Sequence, residues 1–202
     1  MKIVDIWRWY GIRKPAWIAS TRWKEQCILD DLDVDFISNN HFDTKQEYGL
    51  VTRLDTPTSG YLRCAKTPAH KQRYLAQQKA NTITKIYHAR VHGDITTQVI
   101  TALMAHHRDH NMIVLSKDTA KHMRGKIIQA TTHIKNIWYA DDMSDCIIAI
   151  SQWARHQIRC HCAYVWHPIV WDDIYGTDIW PLQLTSIGIR RDTWEYIEWW
   201  YS

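Results

Sequence analysis

The stretch Leu50-Val51-Thr52-Arg53-Leu54-Asp55-Thr56-Pro57-Thr58-Ser59-Gly60 constrains the chain most strongly. An apolar lead-in delivers Arg53 and Asp55 to a turn rich in Thr, Pro, Ser and Gly, residue types that set or permit turn backbone angles. The next segment, Tyr61-Leu62-Arg63-Cys64-Ala65, reads as a strand. A carboxylate where a turn meets a strand, beside an arginine, is a candidate nucleophile or acid/base. Alone, Arg-x-Asp is more often a surface ion pair, so the rest of the chain has to decide.

At 202 residues the length fits a single domain, 1–202, with room to bury a core without disulfide or metal staples. The formal net charge of +4, from 25 basic and 21 acidic residues, permits an RNA partner without demanding one. No apolar run is long enough to cross a bilayer, and Asp5 and Arg8 interrupt the first ten residues, so neither a membrane anchor nor an export signal is expected. Cys27, Cys64, Cys146, Cys160 and Cys162 form no paired framework, which argues for reduced thiols and a cytoplasmic protein.

Residues 1–19 read as a short strand, a turn at Lys14-Pro15-Ala16 and a second segment. Residues 20–48 read as polar and irregular. A calcium loop starting at Asp31 would need glycine at position 36 and glutamate at position 42, where the chain has Phe36 and Phe42. Thr67 caps a helix predicted from Pro68 to about Lys79, with Lys71, Arg73 and Lys79 on a basic side. Alternation predicts a strand over Ile83 to His92, placing Ile83, Lys85, Tyr87, Ala89 and Val91 on one face. Ile95 to Met104 fits either a helix or a strand. His106, His107 and His110 have helix-compatible spacing for a metal, although a solvated or RNA-facing reading is favoured. Lys117, Lys121, Arg124 and Lys126 form a basic stretch suited to phosphate.

Lys126 to Ala140 and Asp145 to Ser151 read as strands. Ala154 to Trp166 reads as a helix with Ile158, Cys162, Val165 and Trp166 on one apolar stripe, ended by His167-Pro168. Leu182 to Ile189 suggests a last strand before an aromatic, charged tail. This pattern by itself supports an α+β fold.

Four words stand in a fixed order: Lys14-Pro15-Ala16; Arg53-Leu54-Asp55-x-x-Thr58-Ser59-Gly60; Lys85-Ile86-Tyr87-His88-Ala89-Arg90-Val91; and Arg155-His156-Gln157-Ile158-Arg159-Cys160-His161. The last continues into His167-Pro168-Ile169-Val170 and Asp172-Asp173-Ile174-Tyr175-Gly176. In these words the chain resembles the RluA-type RNA pseudouridine synthases, from about residue 10 to about residue 190. The resemblance implies a mixed, largely antiparallel sheet flanked by helices. It implies isomerisation of a uridine in ribosomal or transfer RNA, with no metal, no redox cofactor and no obligatory protein partner. Because Lys14-Pro15-Ala16 begins so early, the expected form lacks the extra S4-like N-terminal RNA-binding domain.

Residue by residue, the resemblance makes Asp55 the catalytic carboxylate and Arg159 the arginine that pairs with it. Tyr87 matches the tyrosine lying against the uracil, and Ile158 the branched apolar residue on the other side of the base. Arg53, Arg155, His156 and Gln157 complete the expected substrate-binding set, with His161 helping to build the wall of the site.

Two features invite other readings. His156, Cys160, His161 and Cys162 place four possible zinc ligands within seven residues, but one short helix cannot aim all four at one tetrahedral centre. The chain also holds 12 Trp and only 7 Gly, where ordinary usage of about 7% would give roughly 14 glycines. Trp17, Trp153, Trp166 and Trp171 stand where the family pattern has glycine. The hypothesis is that the gene uses UGA for glycine and that the chain is written with UGA as tryptophan. Were these tryptophans genuine, the fourth word would be distorted and the protein would be a non-catalytic RNA-binding relative.

Overall fold

The structure is a computed structural model of the chain, and it describes residues 3–6, 8–21, 26–108, 111–117, 119–176 and 181–191. Nine strands form one sheet: β1 (Ile3–Ile6), β2 (Trp9–Lys14), β3 (Ser59–Ala65), β4 (Ile83–His92), β5 (Gln98–His107), β6 (Met112–Val114), β7 (Met123–Ala140), β8 (Met143–Ile150) and β9 (Leu184–Arg191). Their order is β1-β2-β3-β9-β4-β8-β7-β5-β6. All neighbours run antiparallel except β3 and β9, which pair in parallel over Ser59–Gly60 and Thr185–Ser186. The mixed, largely antiparallel sheet expected above is therefore present.

Local chemistry explains the connections. Asp141 and Asp142 take φ of 52° and 57° between β7 and β8, the primed-turn geometry whose twist matches a hairpin. Burial alternates strictly along β4 and β8, so one face of each is core and the other is not. Helix α2 (Pro68–Lys79) begins where Thr67 accepts the His70 N–H and Pro68 fills the first turn. Tyr74 is the one buried residue of that helix. Helix α3 (Gln157–Tyr164) lies against the sheet and contributes Ile158 and Cys162 to a core cluster shared with Tyr87, Ala89, Val91, Ile148 and Ile150.

Several expectations change. Of the stretch Ile95 to Met104, Gln98 onward is β5, because it pairs with both β6 and β7. His106 and His107 are thus adjacent on a strand, where they face opposite ways; His110 lies outside the described residues. Within residues 20–48 a short helix α1 (Val34–Ser38) forms, because Asp33 caps it through the Phe36 N–H at 2.6 Å and Phe36 buries its ring. Helix α3 starts later than periodicity suggests. Arg155 lies before it and is exposed, so Arg155 and Arg159 do not share a helical turn. Trp166 leaves the apolar stripe and stands 90% exposed beyond the helix end. The aromatic tail, 192–202, lies outside the described residues.

All five cysteines are free and buried. Among the described residues no three or more of His, Cys, Asp and Glu gather where they could hold a metal. Cys160 points at the Met112 carbonyl and His161 at Thr132, so the apparent zinc cluster is dispersed into the core. No helix among the described residues is long and apolar enough to cross a membrane.

Candidate active site

Asp55 sits at the end of the loop that leads into β3, and the loop is pinned at four points. The Ser20 hydroxyl donates to the Leu54 carbonyl at 2.8 Å and accepts the Leu54 N–H at 3.0 Å. Lys14 is fully buried, and its ammonium donates to the carbonyls of Pro15, Ile18 and Thr56 at 3.1, 2.8 and 3.0 Å. The Thr58 N–H closes the turn onto the Asp55 carbonyl at 3.0 Å. Gly60 then enters β3 at φ +117°, with a Cβ position only 2.3 Å from the Ser186 carbonyl oxygen, so no side chain fits there.

The Asp55 side chain is 29% exposed, able to meet a substrate. Among the described residues its one ion-pair approach is the His156 Nε2 at 3.9 Å. Its charge also acts on Lys14, Lys85, Arg159 and Tyr87, so one carboxylate is ringed by buried polar groups. Burial lowers the pKa of both Lys14 and Lys85 to about 8, with Asp55 pulling the other way. Burial first, and then the Asp55 charge, pushes the Tyr87 phenol well above its usual range. Tyr87 is therefore a neutral phenol at physiological pH. It lies at a bulge in β4, opposite Ser186 of β9 and Ile148 of β8, in the same core cluster as Ile158.

Arg159 departs from expectation. Its guanidinium forks Asp172, Nε to Oδ2 at 2.8 Å and Nη2 to Oδ1 at 2.6 Å, and reaches Asp173 at 2.9 Å. It does not bond Asp55; it contributes a positive field there from 1% exposure. The reason is geometric: Asp172 also accepts the N–H groups of Ile174 and Tyr175 at 3.0 Å each, which aims its carboxylate at the planar fork.

Of the other expected substrate-binding residues, Arg53 turns outward to Glu47 at 2.9 Å with 66% of its side chain exposed. Gln157 is 2% exposed, and its amide is spent on Thr131, Thr132 and Ala154, so it is structural. Ile158 is 4% exposed and packs in the core cluster beside the site. His156 lies between Asp55 and the Tyr175 hydroxyl, the latter 3.2 Å from its Nδ1. Sequence reasoning missed Ser20, Asp172 and Tyr175 as parts of the site. The last two belong to the Asp172-Asp173-Ile174-Tyr175-Gly176 word, so a signal was present for them; Ser20 left none.

Residues 10–164 match the family model described as RNA pseudouridylate synthase. The chain belongs to the RNA pseudouridylate synthase family. Among curated relatives, it is 29% identical over 144 residues to ribosomal large subunit pseudouridine synthase C of Vibrio cholerae, covering 70% of this chain and 43% of that protein. It is 27% identical over 186 residues to an uncharacterised RNA pseudouridine synthase of Mycobacterium bovis, covering 90% of this chain and 58% of that one. The chain thus spans about half the length of these curated relatives. Among solved structures, human RNA pseudouridylate synthase domain containing 1 superposes with a TM-score of 0.71 at 18% identity, over 94% of this chain and 77% of that one. That likeness places the chain in the pseudouridylate synthase fold.

Proposed function

We propose that this protein converts uridine in RNA to pseudouridine, with Asp55 as the acting carboxylate. The observation that carries the reading is the placement of Asp55: partly exposed, on a loop fixed by Ser20 and Lys14, in the joint field of Lys14, Lys85, His156 and Arg159. The reaction breaks the bond between uracil N1 and ribose C1′, turns the base and joins C5 to C1′. The C5 proton leaves and N1 gains one, so substrate and product are isomers.

Each residue has a physical task in that sequence. Asp55 is the carboxylate that meets the uridine, from a loop held by Ser20 and Lys14. Tyr87 is protonated at rest, so it serves as a flat surface and hydrogen-bond donor for the base. Were it to take the C5 proton, it would first have to pass its own proton on. Arg159 acts by field and by holding the 172–175 turn rather than by gripping Asp55. A stacked uridine cannot present C1′ and C5 to a protein, so the target flips out, at a cost of a few kcal/mol that is smallest in single-stranded loops. The exposed Arg155 would meet phosphate, and Arg53 would do so by exchanging Glu47 for it.

Relatives named for the large ribosomal subunit make its RNA the first substrate to test. The purified protein, incubated with unmodified large-subunit RNA and then with transfer RNA, is expected to generate pseudouridine, read by chemical mapping. An Asp55→Asn variant that remains folded and binds RNA is expected to generate none. Full activity of that variant would sink the assignment.

A further inference from the structure

We propose that positions 17, 166 and 171, and with them 153, carry glycine in the protein the cell makes, the gene's UGA codons being read as glycine. The case rests on backbone geometry. Trp17, Trp166 and Trp171 have φ of 68°, 68° and 62°, the left-handed region where a bulky side chain is strained. Of the six other non-glycine residues at positive φ among those described, Asn81, Asp141, Asp142 and His156 are of types that tolerate it.

Positions 166 and 171 also have the hydrogen bonding of glycine sites. At the end of α3, the Trp166 N–H bonds the Ala163 carbonyl and the His167 N–H bonds the Cys162 carbonyl, both at 3.0 Å. That pair of bonds is a Schellman helix stop with Trp166 at the left-handed position that glycine usually fills. Trp171 is third in a turn closed by the Asp172 N–H on the Ile169 carbonyl at 3.2 Å, a turn whose positive φ at that place selects glycine. Trp17 sits in the turn after Lys14 and gives its N–H to the Thr56 carbonyl at 2.8 Å, beside the Asp55 loop.

The indoles gain nothing for this strain. Trp17, Trp166 and Trp171 are 50%, 90% and 37% exposed. Trp153 has ordinary φ, but its indole N–H is buried without an acceptor and its ring lies 3.8 Å from the Lys85 ammonium. Trp9 is the contrast: 4% exposed in β2, with Tyr74 edge-on at 5.4 Å. The 12 Trp against 7 Gly fit a chain in which one codon has been read for the other.

Two measurements test this. The gene is sequenced, and the protein from the organism's own cells is digested and the peptides spanning these positions are weighed. UGA codons with glycine masses at 17, 153, 166 and 171, beside UGG and tryptophan at Trp9, are expected. UGG codons or tryptophan masses at 17, 166 and 171 would overturn the proposal. Recombinant Trp166→Gly is expected to melt about 2–4 °C higher than the chain as written, and a lower melting temperature would count against it.

Discussion

Arg159 and Asp172 meet in a buried two-pronged ion pair, at 2.8 and 2.6 Å, with side chains 1% and 0% exposed. The pair ties α3 to the turn that carries Tyr175, and Tyr175 in turn touches His156 beside Asp55. The arginine thus reaches the acid through structure and field, not through a shared hydrogen bond.

Asp172→Ala is expected to destabilise the fold by about 3 kcal/mol, because the buried Arg159 keeps only the partly exposed Asp173 and two backbone N–H groups lose their acceptor. Urea denaturation measures this. A loss below about 1 kcal/mol would mean that the pair is not buried in solution.

Asp55→Asn is expected to separate chemistry from stability. The side chain makes no hydrogen bond among the described residues, only the 3.9 Å approach to His156, so stability should move by less than about 0.5 kcal/mol. Turnover should fall at least a hundredfold, within the roughly 10²–10⁴ range for loss of a proton-transferring group. Thermal melts and pseudouridine assays on the same preparation read both.

Tyr87→Phe tests the phenol. The ring is 6% exposed in the core, and phenylalanine keeps that packing, so binding of RNA should hold while kcat drops. An equal loss of binding and turnover would mark Tyr87 as structural.

Gly60→Ala is expected to cost roughly 3 kcal/mol or more, since the new Cβ would meet the Ser186 carbonyl oxygen, nitrogen and Cα at 2.3, 2.5 and 2.8 Å. The parallel β3–β9 pairing would have to open, and with it the exit of the Asp55 loop. Amide exchange of Ser186 and Thr185 should quicken in this variant; unchanged protection would refute the contact.

Acid sensitivity should come in part from His161. Burial lowers its pKa to about 4, against about 6.5 unfolded, so between these values the unfolded chain binds the extra proton. Stability contributed by this residue is whole above pH about 6.5 and lost by pH about 4, roughly 3 kcal/mol in all. The surroundings fit that cause: His161 Nδ1 meets Thr132 Oγ1 at 2.9 Å while its buried Nε2 has no hydrogen-bond partner, so a doubly protonated ring would bury an unsatisfied N–H. Denaturation across this range should show a shallower slope for His161→Leu than for the parent.

Local rules made much of this molecule readable in advance. The Thr67 cap and Pro68 mark the start of α2, and strict alternation marks β4 from Ile83 to His92, because caps and period-two burial are properties of neighbouring residues. The order of the four words also pointed to Asp55 and to the fold. The ambiguity over Ile95 to Met104 could not be resolved locally, since strand identity there came from pairing with β7, some thirty residues on.

Partner choice belonged to tertiary structure alone. Arg159 took Asp172 over Asp55 because two backbone N–H groups aim that carboxylate, and no spacing in the sequence encodes the aim. Lys14 reaches Thr56 across 42 residues, and Ser20 clasps Leu54 across 34. A sequence fixes which groups a chain owns and how its near neighbours fold; which distant groups meet depends on the packing of the whole sheet, where buried polar atoms must each find a partner.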